Sequence, residues 1–248
     1  HVKTEHWLSD LRCYQAIKRS LAGRHDHIAK AYQQQWPNFI IIGSAKSATT
    51  TLATVLGQHP HIQISASMEP KFFGRNYRRG WEWYGQQFSG GKNCALRGEA
   101  STMYTSSYRS YQHTPQLIRH HLGIIPLIYL VRHPLRRIES HWRHWQGRID
   151  DCPPFHKLLK SKVLKQRVVE ASLYHKQLMR YRQWFPAKSI HCLSTEALTA
   201  QPIESLNNIL KFLGQPPTAS SLLFNGSLPL TNPAGSKGRR DVAAPEWT

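Results

Sequence analysis

Apolar runs of strand period alternate with apolar stripes of helical period through most of this chain. Phe39-Ile40-Ile41-Ile42 closes on Gly43 and reads as a short strand buried on both faces. Further strands are predicted over residues 62–65, 95–98, 125–131 and 189–193. Pro126 is tolerable in the fourth because it stands near the first position, where a missing N–H matters least. Between the strands the spacing turns helical. Leu52, Val55 and Leu56 share a face of a helix that stops before His59-Pro60. Residues 80–88 place Trp81, Tyr84 and Phe88 together, and residues 115–122 end at Gly123, a helix C-cap. Ala171, Tyr174, Leu178, Tyr181 and Phe185 form a long stripe halted by Pro186, read as core packing. Pro202 opens a last helix with Leu206, Leu210 and Leu213 inward and Gly214 as its stop.

Strands alternating with helices predict βαβ units, hence an α/β fold with a central, mostly parallel sheet flanked by helices. Residues 1–36 read as basic and mainly helical, with Trp7, Leu8, Leu11 and Tyr14 near helical spacing, an extension packed on the core. From Ser220 the chain is rich in Gly, Pro and Ser and reads as a loop carrying Lys237-Gly238-Arg239-Arg240.

Composition narrows the partners. One compact domain is expected from 248 residues, and 40% hydrophobic residues argue against disorder. No apolar run approaches the ~18 residues of a membrane span, so the chain is expected to be soluble. The start at His1-Val2-Lys3 is neither a methionine nor a signal peptide and suggests a trimmed chain. A net charge of +19 calls for an anion: nucleic acid, an anionic membrane, a polyanionic glycan or a phosphate-rich cofactor. Cys13, Cys94, Cys152 and Cys192 form no Cys-x-x-Cys pair, which disfavours zinc or a dense disulfide scaffold; four buried thiols are expected.

Two strand ends carry candidate chemistry. After Gly43 come Ser44-Ala45-Lys46-Ser47-Ala48-Thr49-Thr50-Thr51, a turn into a helix start. Unpaired N–H groups and the positive end of the helix dipole make such a place a phosphate site, and Lys46 adds a point charge. The lysine comes early and follows Ala45, so this is not the Gly-Lys-Ser/Thr ending of a nucleoside-triphosphate loop. That argues against a nucleotide kinase. The predicted strand 125–131 runs into Arg132-His133-Pro134, with Ser140 two helical turns on. An arginine and a serine so placed can clamp one phosphate, although an arginine salt-bridging a loop reads as well there.

Taken together, the segment 43–52, the Arg132 and Ser140 pair, and the stretch 195–214 resemble the sulfotransferases that use 3′-phosphoadenosine 5′-phosphosulfate (PAPS). Met68-Glu69-Pro70-Lys71-Phe72-Phe73, residues 76–84, residues 98–104 and Ser236-Lys237-Gly238-Arg239 are similar to motifs of the heparan-sulfate-type branch. The resemblance implies a P-loop-like three-layer fold, with residues 37–248 as the sulfotransferase domain and 220–248 a cofactor-covering loop. Relatives continue beyond the point where this chain ends at Thr248, so a truncation is expected there.

The resemblance also implies roles. Lys46 contacts the transferring group, while Ser47, Ala48, Thr49, Thr50 and Thr51 hold the 5′-phosphate, Thr49 and Thr50 through their hydroxyls. Arg132, Ser140, Lys237, Gly238 and Arg239 grip the 3′-phosphate. Glu69 is the general base, with His61 and His133 as rivals. Lys71, Arg75, Glu99 and Trp83 are acceptor contacts, Glu99 alternatively a partner of Lys46. Trp81 and Trp142 read as core. Two departures stand out: Ala48 replaces a usual glycine, and Ala100 replaces a usual lysine. The implied reaction moves a sulfuryl group to a hydroxyl or amine of an anionic or sugar-like acceptor, with no metal. The alternatives are a small alcohol, phenol or lipid acceptor, a non-catalytic PAPS binder, or a basic nucleic-acid-binding module, for which no motif is found. Bacterial cytoplasm is the favoured compartment, or a Golgi lumen in a eukaryote.

Overall fold

A computed structural model describes residues 2–90, 94–106, 108–147, 152–161, 164–223 and 227–229. Five strands form one sheet: β1 (Phe39–Gly43), β2 (Ile62–Ile64), β3 (Leu96–Glu99), β4 (Leu127–Val131) and β5 (Ile190–Ser194). Their order is β2-β3-β1-β4-β5, and every pairing is parallel. Each predicted strand is present, with ends shifted by at most two residues. Strand β4 starts just after Pro126, whose carbonyl accepts from Ile40 N–H at 3.1 Å.

The helices are α1 (Val2–Leu21), α2 (Asp26–Ala31), α3 (Thr49–Leu56), α4 (Gly80–Gln86) and α5 (Thr114–Leu122), followed by α6 (Pro134–Gln146) and α7 (Tyr174–Arg182). The last three are α8 (Thr195–Ala200), α9 (Pro202–Phe212) and α10 (Ala219–Leu222). Alternation along β1 divides the core. Ile40 and Ile42 join Ile17, Trp81, Tyr84, Leu117 and Tyr181 on one face of the sheet. Phe39 and Ile41 join Leu52, Val55, Leu206 and Leu210 on the other. The four apolar residues of β1 are fully buried, each contributing about 2 kcal/mol of transfer free energy. A smaller cluster of Ile138, Trp142, Leu158, Leu164 and Val168 lies under α6. Helices cover both faces, giving three layers.

The central register depends on one glycine. Phe39 pairs with Gly98, and a Cβ at Gly98 would lie 2.1 Å from the Phe39 ring. Without a side chain there, β3 can approach β1 under that ring.

Several expectations need correction. The stripe from Ala171 to Phe185 is not one helix: Ala171 sits in a separate turn, and Leu173 (φ −80, ψ 68) breaks the path before α7. Among the described side chains of α1, from residue 11 on, Cys13, Ile17 and Ser20 are buried, whereas Leu11 is 38% exposed; the side chains of Trp7 and Leu8 lie outside the described ones. The Cys13 thiol donates to Gly74 O at 2.8 Å, and Ser20 Oγ meets His121 Nε2 at 2.8 Å, which selects that face for burial. Only Cys13 is buried; Cys94 and Cys152 are half-buried and Cys192 is exposed. Cys192 lies on β5, the edge strand beside β4. The stretch assigned to a loop from Ser220 begins inside α10, whose Ala219 and Leu222 are buried. Lys237, Gly238 and Arg239 lie outside the described residues. Among the described residues no helix is long and apolar enough to cross a membrane.

Candidate functional site

Parallel strands place all their carboxyl ends along one edge, where ligands bind in such sheets. At the end of β1, Ser44 N–H donates to Leu130 O at 2.7 Å, and the Ser44 and Ser47 hydroxyls pair at 2.7 Å. Both serines are fully buried, and their paired hydroxyls close the inside of the loop. Lys46 and Ala48 adopt positive φ, 71° and 60°. Ala48 is also the N-cap of α3, and its methyl offers the helix no acceptor. The first-turn N–H groups of α3 therefore have no side-chain cap, the arrangement that suits an anion. Thr49 is 3% exposed, and Thr50 and Thr51 are half-buried.

The second strand end is joined to the first. Arg132 Nη1 donates to Lys46 O at 3.3 Å. The Arg132 main chain is held by Tyr174, whose hydroxyl donates to Arg132 O at 2.7 Å. Glu196 accepts from His133 N–H at 2.9 Å, a bond that is the main cause of its lowered pKa. Pro134 occupies the first turn of α6, and Ser140 lies half-buried farther along it.

Arg137, on the buried face of α6, escaped the sequence reading. It is fully buried, with Nη1 donating to Ala45 O at 3.1 Å and meeting His141 Nδ1 at 3.1 Å. Its remaining N–H groups reach Ser172 Oγ and Val168 O. Burial lowers its pKa to about 10, leaving it charged at neutral pH, and no carboxylate pairs with it among the described residues. The available signal was its spacing with Ile138, His141 and Trp142, the other buried positions of α6.

Glu69 sits across from the loop. Its carboxylate pairs with Lys71 Nζ at 3.1 Å and accepts from Thr102 Oγ1 at 3.3 Å. Thr102 ties this group to β1, because a Cβ at Gly43 (φ 143) would meet Thr102 O at 2.9 Å and Thr105 Oγ1 at 2.3 Å. The end of β1 and the residue holding Glu69 are thus in direct contact. Of the rival bases, His61 precedes β2 and so lies at the amino edge of the sheet, remote from this site. His133 is exposed beside Arg132.

Arg75 is exposed, and Trp83 is half-buried under the Arg79 guanidinium at 4.0 Å. Trp81 and Trp142 are core residues, 3% and 8% exposed. Glu99 does not line the surface: it is fully buried at the end of β3. Tyr84 and Tyr104 donate to its Oε1 at 2.6 and 2.9 Å, and Ser101 donates to Oε2. Burial raises its pKa to about 7 against the opposing pull of those hydroxyls.

The donor set is cationic and backbone-rich: Lys46, Arg132, Arg137 and the start of α3. It fits a phosphate-bearing group, and the buried Arg137 charge fits an anion above it.

Comparison with known proteins agrees with this geometry. Residues 37–225 match the sulfotransferase domain model. The chain is similar to mouse heparan sulfate glucosamine 3-O-sulfotransferase 5, 30% identical over 207 residues, covering 78% of this chain and 58% of that protein. It is also similar to mouse heparan sulfate glucosamine 3-O-sulfotransferase 3B1, 30% identical over 190 residues, covering 74% of this chain and 47% of that protein. The chain thus spans about half the length of the curated relatives it matches. A sulfotransferase from Alicyclobacillus acidocaldarius shares the fold with a TM-score of 0.65 at 24% identity, covering 74% of this chain and 83% of that one. Mouse sulfotransferase SULT7A1 complexed with PAP shares it with a TM-score of 0.51 at 18% identity, covering 76% and 61%. With the domain model matched across both strand-end sites, this chain belongs to the sulfotransferase family.

Proposed function

We propose that this chain transfers a sulfuryl group from PAPS to a hydroxyl or amine of a carbohydrate-like acceptor, with Glu69 as general base. The contact that carries the reading is Gly43 on Thr102, since it sets the phosphate-type loop against the turn that holds Glu69. When bound, PAPS supplies an activated sulfuryl group for in-line displacement. The first-turn N–H groups of α3, Thr50 and Lys46 hold its 5′ end, and Arg132, Ser140, Lys237 and Arg239 hold its 3′-phosphate. Glu69 takes the proton from the attacking oxygen or nitrogen, oriented for this by Thr102 and Lys71. Lys46 offsets negative charge that accumulates on the leaving phosphate. The names of the curated relatives support a glycan acceptor, as does Lys71 beside Glu69.

Calorimetric titration with 3′-phosphoadenosine 5′-phosphate, with ATP as control, tests the donor site. Micromolar binding of the first and little of the second is expected; equal or absent binding overturns the reading. Glu69→Gln should then abolish turnover on heparan-type oligosaccharides while leaving that affinity unchanged. Turnover surviving in the variant removes Glu69 as the base. Faster turnover of simple alcohols or phenols than of oligosaccharides removes the glycan acceptor.

A further inference from the structure

We infer that Glu99 is a positioning residue for the reaction: through the hydroxyls of Ser101 and Tyr104 its carboxylate fixes the backbone of the segment that carries Glu69. The inference rests on the reading of Glu69 as the base.

The segment 68–73 is an unusual piece of chain. Met68 and Lys71 both adopt positive φ, 50° and 54°, a conformation that non-glycine residues keep only where the surroundings enforce it. The enforcement comes from two N–H groups and two hydroxyls. Lys71 N–H donates to Ser101 Oγ at 2.8 Å, and Phe73 N–H donates to Tyr104 Oη at 3.0 Å. A hydroxyl that accepts from an N–H still has one O–H to place, and in a buried site that O–H needs a further acceptor, which also fixes where its lone pairs point. In both cases that acceptor is Glu99, with Ser101 on Oε2 and Tyr104 on Oε1. Tyr84 donates to Oε1 as well, so all three hydroxyl protons point at one buried carboxylate.

Two further bonds pin the same segment. Ala100 N–H donates to Met68 O at 2.8 Å, and Asn76 Nδ2 donates to Pro70 O at 2.7 Å. Glu69 lies between the positive-φ residues, and the Lys71 that pairs with it is the residue whose N–H the relay holds. A carboxylate that only accepts is the group this array requires. A neutral amide at the same place would turn a donor toward hydroxyls that already donate there.

The test is kinetic, with Glu99→Gln, Ser101→Ala and their double variant in the protein as it stands. Glu99→Gln is expected to lower kcat at least tenfold while KM for PAPS and the affinity for 3′-phosphoadenosine 5′-phosphate stay within twofold. Ser101→Ala cuts the link to Lys71 N–H alone and is expected to lower kcat similarly. The double variant should fall no further than Glu99→Gln, since both substitutions break one chain. Additive losses, or kcat within twofold of the parent in both single variants, overturn the inference; if Glu99→Gln does not fold, Ser101→Ala decides it. Hydrogen exchange at the Lys71 and Phe73 amides gives an answer without turnover: both should exchange faster in Glu99→Gln, and unchanged exchange overturns the relay. Glu69→Gln separates the two claims. If that variant is inactive and Glu99→Gln is not, the relay fails alone; if Glu69→Gln is active, the general-base reading fails whatever Glu99 does.

Discussion

Arg137, fully buried in α6, donates to the carbonyl of Ala45 at 3.1 Å and so carries a positive charge to the underside of the Lys46 loop. Its guanidinium spreads over four acceptors, two of them main-chain carbonyls. A lysine cannot reproduce that fork. Arg137→Lys is therefore expected to weaken binding of 3′-phosphoadenosine 5′-phosphate about tenfold, or ~1.4 kcal/mol. It should also destabilise the fold by about 2–4 kcal/mol. Titration and urea unfolding read the two effects; unchanged affinity would separate Arg137 from the loop's function.

Ala48 carries a left-handed backbone on a residue with a Cβ, at φ 60° and ψ 19°. Replacing it with glycine removes a strain of about 1–2 kcal/mol, against about 0.4–1 kcal/mol of added unfolded-state entropy. Ala48→Gly should leave stability unchanged or raise it by up to about 1.6 kcal/mol, with the urea midpoint unchanged or moved upward. A lower midpoint would contradict the left-handed assignment.

Gly98 lies under the ring of Phe39, and a methyl there would stand 2.1 Å from Phe39 Cζ. Both residues are in the middle of the sheet, and Phe39 is fully buried. Gly98→Ala is expected to destabilise by about 3 kcal/mol. Adding Phe39→Leu should recover part of that loss, because the smaller side chain vacates the contact. Failure of the second change to help would place the strain elsewhere.

Glu99 gives stability and activity opposite pH dependences. Its carboxyl is faced by Tyr84 from α4, by Ser101 and Tyr104 beside it, by Tyr181 from α7 and by Glu69 from the positive-φ segment. With its pKa raised to about 7, the folded protein binds the proton more readily than the unfolded chain. Its contribution to stability is thus present at low pH and is lost as the pH rises through about 7. The difference is on the order of 3 kcal/mol. The ionised form alone accepts from all three hydroxyls, so kcat should fall as the pH drops below about 7. Burial lowers the pKa of His121 to about 4, which costs stability in acid, but both proteins carry it and it cancels in a comparison. The stability of the parent relative to Glu99→Gln should rise from pH 8 to pH 5, measured by urea unfolding across that range. A flat difference would sink the assignment.

Much of the architecture was legible because it is written locally. The run Phe39 to Ile42 is buried on both faces, and its β-branched residues show that without reference to any other segment. Gly123 and Gly214, at φ 75° and 72°, stand where the helical spacing stops. The stripe ending at Phe185 misled because Leu173 breaks the helix there for reasons of packing, and periodicity carries no sign of it.

The sequence by itself determined the order of strands and helices, the turn after β1 and the presence of Arg132 at the end of β4. Periodicity, turn residues and proline act within a few positions of the chain, so a linear reading can follow them. Only the tertiary structure decided which polar groups share a partner. It brought Arg137 to Ala45 across 92 residues, Ser101 to Lys71 across 30, and Glu69 to Thr102 across 33. Those contacts answer a demand that arises only after burial, when each donor and acceptor removed from water must find another within reach.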